Sequence, residues 1–327
     1  MRIGSFSVAT PVGLATRVGV LADGAIIDAT AARIAQREGA QPASVAHRIG
    51  GAEVPPDLRL LLEGGAQALR LVAESVEYVR ARGLDETSSR IAIRHEPHEV
   101  ILLPPVPRPP GIACFSVWPQ HIADTAEHGF ALRFPPEGSR MRPYYKGNPD
   151  AVVGPDAVLE RPAYAGELDV ECEMAAVVGS MVKDADEEEA AGAIAGYCLF
   201  NDVSVRDVQV EEMRLGLGPT KGKDLDGGNV LGPWIVTPDE VGDTSGLHMS
   251  LLVNGEQWSD YPTSEMAWKF PDLLSYLSRG QTVHSGHVLT SGSYPGGSAM
   301  DLGRALSPGD VVELRISKLG SLVNTIA

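Results

Sequence analysis

The chain has 327 residues, 43% of them hydrophobic and 21% charged, and a formal net charge of −16. That acidic balance, without any run of Lys or Arg, excludes a nucleic-acid footprint, and no apolar stretch reaches the length of a membrane span. Cys114, Cys172 and Cys198 have no CxxC spacing and read as reduced thiols of a cytoplasmic protein, in keeping with an N-terminus that lacks a signal-peptide core and cleavage site.

Residues 1–28 read as short strands. Ile3 to Phe6, Ala15 to Leu21 and Ala25 to Ile27 alternate, and Asp23-Gly24 is a hairpin-turn signal. Asp28 and Thr30 can start a helix over 29–37. Helical patterns follow over 57–63, introduced by Pro55-Pro56, and over 65–81, where Gly83 can end the helix. Ile101-Leu102-Leu103 is a short strand. Pro104, Pro105, Pro107, Pro109 and Pro110 then form a stiff linker. The expected division is a small α+β domain over 1–104, serving as scaffold, and a second domain over 105–327.

The second part opens with a predicted helix on which His121, Asp124 and His128 share a face, at offsets of three and four. A histidine in such a place is ordinarily a surface residue. A turn-rich segment with Tyr144 and Tyr145 beside Lys146 can wall a pocket. Next comes Glu167-Leu168-Asp169-Val170-Glu171-Cys172-Glu173, read as a strand with its four acids at spacing two and therefore on one side. Met174, Ala176 and Val178 are expected to continue that face. Acids are depleted in strands and repel one another there, so a cation is expected to compensate them. Asp202 ends a further apolar strand. Carboxylates clustered in this way suit a hard divalent cation; a charged surface ladder would show the same spacing.

A helix follows over 184–195, then strands at Trp234 to Thr237 and Leu247 to Val253, with a turn at Asn254-Gly255. A helix from Phe270 to Ser278, a strand from His287 to Thr290 and closing strands at Val311 to Ile316 and Leu322 to Val323 complete a mostly β region. The loop from Ser291 to Gly297 can present backbone N–H groups to an anion, as many glycine loops can.

The acidic strand, the segment Asn201 to Gln209, the Lys221-Gly222-Lys223-Asp224 loop and the Gly232-Pro233-Trp234 strand, in that order, resemble the fumarylacetoacetate hydrolase superfamily over roughly residues 105–327. The resemblance implies an α+β fold, with a mixed β roll preceded by the small N-terminal α+β domain, and a homodimer. It implies cleavage of a C–C bond in an acylpyruvate or β-diketo acid. The alternatives are decarboxylation, hydration, dehydration or isomerisation of a related 2-oxo or 2-hydroxy acid, and a non-catalytic binding protein. It implies Mg²⁺, or alternatively Ca²⁺ or Mn²⁺, held by Glu171, Glu173 and Asp202. Arg206 and Gln209 match residues that contact substrate oxygens, and Lys223 matches the family lysine, with Lys221 a near alternative. His121 matches the histidine that polarises water, with Asp124 as its orienting acid. Ser291, Gly292, Tyr294 and Tyr144 are assigned to the substrate. Two positions depart from the family: Cys114 stands where an Asp metal ligand is usual, and Ser116 where a tyrosine of the pocket edge often sits. A thiolate suits soft ions better than Mg²⁺, so three carboxylates remain and metal affinity is expected to be weakened.

Overall fold

The structure, a computed structural model, describes residues 1–130, 132–216 and 218–327. The first strands, β1 (Arg2–Thr10), β2 (Gly13–Ala22) and β3 (Ala25–Asp28), form where the alternation placed them. Asp23 and Gly24 both take the left-handed conformation, φ 49° and 77°, which matches the twist of a two-residue hairpin. Helix α1 (Ala29–Glu38) starts at Asp28, whose Oδ1 accepts the Ala31 N–H at 2.8 Å. Nothing in the sequence pattern signals α2 (Ala43–Glu53): it buries only Ala46 and Gly50 and carries two adjacent glycines, which are weak helix formers. α3 (Leu58–Glu63) and α4 (Gly65–Arg82) follow, and Gly83 ends α4 at φ 60°.

The Asp28 cap has a pH signature. Burial raises its carboxyl to about 6, against opposing hydrogen bonds from the Ala31 N–H and the charge of Arg17. A raised carboxyl favours the fold while protonated. Its contribution is complete below the ordinary value of 3.8 and lost as pH rises to about 6. Asp28→Asn keeps the cap without the buried charge. It is expected to raise stability at pH 7 by roughly 1–3 kcal/mol and to flatten the dependence of melting temperature on pH between about 4 and 6. A variant less stable than wild type at pH 7 would contradict this.

The remaining strands of three residues or more are β4 (Ile112–Phe115), β5 (Tyr144–Gly147), β6 (Cys172–Val178), β7 (Ile194–Asp202), β8 (Asn229–Val236), β9 (His248–Val253), β10 (Glu256–Pro262), β11 (Val288–Thr290), β12 (Val311–Ile316) and β13 (Gly320–Ile326). Between them lie α5 (Pro119–Thr125), α6 (Glu187–Ala193), α7 (Arg206–Met213) and α8 (Phe270–Ser278). A mixed twelve-stranded sheet runs β3-β2-β1-β8-β7-β6-β11-β4-β5 from an edge strand at Arg94–His95. A five-stranded sheet, β10-β9-β12-β13 and Val158–Leu159, packs against it. Met249, Leu251 and Leu314 of the smaller sheet share a core with Cys172, Met174 and Ala176 of β6.

The expected boundary at 104/105 is crossed by both the sheet and the core. β1 pairs antiparallel with β8, with Ile3 opposite Ile235. Ile3, Val20 and Leu61 share a second core with Ile112, Ala175, Phe200 and Ile235. An unpaired β1 edge would leave its N–H and C=O groups exposed, and pairing removes that liability. Segment 1–104 thus supplies strands β1–β3 to the large sheet, and residues of its helices enter a core shared with residues beyond 104. Among the described residues no helix is long and apolar enough to cross a membrane.

One strand reading is corrected. Met174, Ala176 and Val178 do not continue the acid face. β6 pairs with β7 in unbroken register from Cys172 to Val177, so Glu173, Ala175 and Val177 share one side, and Cys172, Met174 and Ala176 the other. The even-numbered side meets the smaller sheet and the odd-numbered side meets the N-terminal layer.

Candidate metal centre and catalytic pocket

Glu171, Glu173 and Asp202 converge at the end of β6 and β7. Each offers an oxygen within 4.8 Å of the others, and all three side chains are buried. The chain folds this way because Asp202 ends β7 beside Glu171, where the Asp202 N–H donates to the Glu171 carbonyl at 3.2 Å. The Glu171 N–H donates to Asn201 Oδ1 at 3.1 Å. Of the four acids read as one face, Glu167 is exposed. Asp169 is buried but turns to Arg206 Nε at 2.7 Å and to the backbone N–H groups of Ala299 and Met300.

Two cations are built into the cluster. Arg206 bridges Asp169 and Glu171, donating through Nη2 to Glu171 Oε1 at 2.9 Å. Lys223 donates through Nζ to Glu171 Oε2 at 2.5 Å and to Ser204 Oγ at 2.6 Å, and lies 3.0 Å from Asp202 Oδ2. Lys221 is exposed and pairs with Asp224, so the lysine of the site is Lys223. Burial pushes the Glu171 carboxyl up, but Lys223, Arg206 and His121 outweigh it and hold the group well below the usual range. Asp202 is raised by burial, against the pull of Lys223. Glu173 has no cationic partner among the described residues; it accepts the Gly292 N–H at 2.9 Å. Burial, then the charges of Asp202 and Glu171, push its carboxyl well up. A set of buried oxygen donors with one uncompensated carboxylate fits a hard divalent ion, which would supply the missing charge.

Cys114 lies on the same face of the sheet, buried, and lines the pocket. Burial and the charges of Asp202 and Glu173 push its thiol well up, so it is neutral. It does not join the ligand group, which is formed by the three carboxylates. Its neighbour across the strand pair, Tyr145, donates its hydroxyl to the Asp202 carboxylate, 2.6 and 2.7 Å from the two oxygens. Tyr145 thus orients a candidate ligand.

His121 sits on α5, whose first residue is Pro119, suited to that position by its fixed φ and missing N–H. Trp118 anchors the start of the helix by donating its indole N–H to the Gly292 carbonyl at 2.8 Å. Asp124, expected beside the ring, is not the acid that meets it. That side chain accepts from Gln120 Nε2 at 2.7 Å, on the outer side of the helix. Asp301 takes its place, with Oδ2 2.9 Å from His121 Nδ1, fixed by the Gly296 N–H at 3.1 Å. A residue three positions along a short helix shares its face only approximately, whereas Asp301 reaches the ring from a separate loop. His121 Nε2 lies 3.9 Å from Glu171 Oε1, too long for a direct bond, and the ring lines the pocket.

The pocket has a cavity volume of about 240 Å³ and brings His121, Arg206, Gln209, Lys223 and the three carboxylates together. Tyr144 and Gly292 also line it. Gly292 has φ 76°, and an added Cβ would lie 2.7 Å from the Phe115 carbonyl, so the residue must be glycine to present its N–H to Glu173. Tyr294 and Ser291 do not reach the cavity. Tyr294 is fully buried, bonds Ser259 at 2.9 Å and stacks on Tyr261. Ser291 is spent on backbone, accepting the Met174 N–H and donating to the Gly292 carbonyl. Both lie on the core side of the loop whose backbone faces the pocket. The sequence reading gives no individual role to Asp301 or Ser204, counts Asp169 only among the acids of one face and places Tyr145 only on a pocket wall. Asp169 and Tyr145 adjoin recognised positions, but Asp301 is 180 residues from its histidine and carries no sequence signal.

Comparison with known proteins places this geometry. The sequence model described as Fumarylacetoacetate (FAA) hydrolase C-terminal matches residues 118–327. The chain belongs to the fumarylacetoacetate hydrolase family. A Burkholderia multivorans protein, described only provisionally as a hydrolase, is 37% identical over 177 residues, 52% of this chain and 60% of that protein. The chain thus spans about 60% of the length of the curated relatives it matches. Fumarylacetoacetate hydrolase from Exiguobacterium antarcticum has a similar structure, at 26% identity and TM-score 0.70, over 99% of both chains. Maleylpyruvate hydrolase from Sphingobium sp. SYK-6, solved with a manganese(II) ion and pyruvate, shares the fold at 22% identity and TM-score 0.70, over 100% of this chain and 99% of that one.

Proposed function

We propose that this family member is a divalent-metal-dependent hydrolase that cleaves a C–C bond in an acylpyruvate or a related β-diketo acid. The observation that carries the reading is the His121–Asp301 pair, set beside three buried carboxylates in one pocket. The residues that would hold the ion are Glu171, Glu173 and Asp202, and Mg²⁺ is the expected ion, with Ca²⁺ or Mn²⁺ as alternatives. When bound, the ion supplies Lewis-acid polarisation of the substrate's keto oxygen. The Sphingobium enzyme was solved in complex with a manganese(II) ion and pyruvate, and pyruvate carries the same class of head group.

The rest falls to the chain's own side chains. Asp301 accepts from His121 Nδ1 and leaves Nε2 as the proton acceptor for water. That water adds to the distal carbonyl. The bond between the acyl carbon and the methylene then breaks, and the electron pair stays on the pyruvate fragment. Lys223 and Arg206 place positive charge where this enolate forms, and the Gln209 amide offers a neutral hydrogen bond. Protonation at the methylene carbon completes the balance: acylpyruvate and water give a carboxylate, pyruvate and one proton.

The second reading, a decarboxylase, hydratase, dehydratase or isomerase of a 2-oxo or 2-hydroxy acid, draws on the neutral Cys114 beside the cluster. The test is a panel of acylpyruvates, oxaloacetate and 2-hydroxy-dienoates with Mg²⁺ or Mn²⁺, with products identified by mass. Pyruvate plus a carboxylic acid is the expected result. Turnover without cleavage would favour the second reading. A homodimer in the cytoplasm is part of the same proposal, and a solution mass of one chain at micromolar concentration would remove the dimer from it.

A further inference from the structure

The positive charge of the pocket is gathered at one end. Among the described lining residues the groups able to carry it are His121, Arg206 and Lys223. All three approach the same carboxylate, Glu171, at 3.9, 2.9 and 2.5 Å. Away from this cluster the wall is apolar: Phe115, Trp118, Ile122, Phe130, Leu132 and Met213. The polar side chains that line the pocket outside the cluster, the Ser116 and Tyr144 hydroxyls among them, carry no charge. The Trp118 indole N–H donates to the Gly292 carbonyl and the Thr125 hydroxyl to the Ile122 carbonyl, both at 2.8 Å. Arg133 and Arg214 are exposed and stand outside the lining, where water screens them.

From this we infer that the substrate is a monocarboxylate: one 2-oxo acid head at the carboxylate cluster and an uncharged, apolar acyl tail against the opposite wall. A diketo acid with a second carboxylate at its far end is rejected. The inference rests on the preceding reading of the head-group site and adds the chemistry of the tail. Its physical basis is desolvation. An apolar tail gains by leaving water, whereas a carboxylate brought against Phe130 and Ile122 loses its hydration and meets no counter-charge among the described lining residues. Each cation among the described lining residues is engaged by a carboxylate at the other end.

The test measures binding of unreactive 2-oxo acids to the Mn²⁺-loaded protein by calorimetry. Pyruvate, 2-oxohexanoate and 2-oxooctanoate vary the tail, and 2-oxoadipate carries a second carboxylate on the six-carbon chain. Affinity should rise with tail length, by about fourfold for each methylene buried. 2-Oxoadipate should bind about a hundredfold more weakly than 2-oxohexanoate. Met213→Arg places a cation in the wall and should narrow that gap by at least about tenfold. If pyruvate binds but 2-oxoadipate binds as tightly as 2-oxohexanoate, the tail inference is overturned and the head-group reading stands. An unchanged gap in a folded Met213→Arg protein also overturns it. If none of the acids binds, pyruvate included, both readings fall together.

Discussion

His121→Ala is expected to lower kcat for acylpyruvate cleavage by roughly 10² to 10⁴, with the protein still folded and still binding metal. The imidazole is the group in the pocket with a nitrogen facing the acidic cluster and a second nitrogen fixed by a carboxylate. Loss of the base removes activation of water but leaves Glu171, Glu173 and Asp202 in place. Asp301→Asn should also lower the rate, because the amide no longer imposes one tautomer on the ring. Asp124→Asn should leave it near wild type, since Asp124 bonds Gln120 and not the histidine. Steady-state rates for the three variants on one acylpyruvate decide the matter. Full activity in His121→Ala would remove the attacking water from the mechanism and turn the reading toward decarboxylation or isomerisation. Loss in Asp124→Asn with none in Asp301→Asn would reverse the assignment of the orienting acid.

Glu171→Ala is expected to abolish both metal binding and turnover, and to destabilise the metal-free protein by about 3–5 kcal/mol, the cost of leaving buried charges without their partner. Glu171 accepts from both Arg206 and Lys223 in a buried setting. Metal analysis and thermal unfolding measure the two effects separately. Retained stoichiometric metal would exclude Glu171 as a ligand. The neighbouring Glu173 gives the centre a sign that can be measured. Burial and the charges of Asp202 and Glu171 raise its carboxyl, so it holds its proton to a higher pH than an ordinary glutamate, whereas a bound ion requires the carboxylate. Binding should therefore release a proton, and affinity for Mg²⁺ or Mn²⁺ should rise about tenfold per pH unit until the raised value is passed. The same shift makes the metal-free protein lose stability as pH rises from the ordinary carboxyl value toward the raised one, and metal should restore it. Cys114→Asp would add a fourth carboxylate beside Asp202. It should strengthen metal binding while lowering the stability of the metal-free form, in which Glu173 has no cationic partner among the described residues.

Much of this protein is legible in its sequence because the signals are local. The hairpin at Asp23-Gly24, the helix from Asp28, the strand that ends on Asp202 and the helix from Phe270 to Ser278 are set by turn chemistry, capping and periodicity. So is the grouping of Glu171 with Glu173, which period two places on one side of a strand. Their order with Asp202, Arg206, Gln209 and Lys223 marks the family. Tertiary structure alone decided the rest. It joined β1 to β8 across the expected domain boundary, because an unpaired strand edge is satisfied by whichever strand lies beside it. It turned Asp169 toward Arg206 and left Glu167 in water, although both share the spacing of the metal carboxylates. It gave His121 to Asp301 in place of Asp124, and it faced Tyr294 into the core and Gly292 into the pocket. Each of these outcomes depends on the direction of a side chain relative to a segment distant in sequence. Local periodicity fixes the side of an element a residue occupies, and packing determines what it meets there.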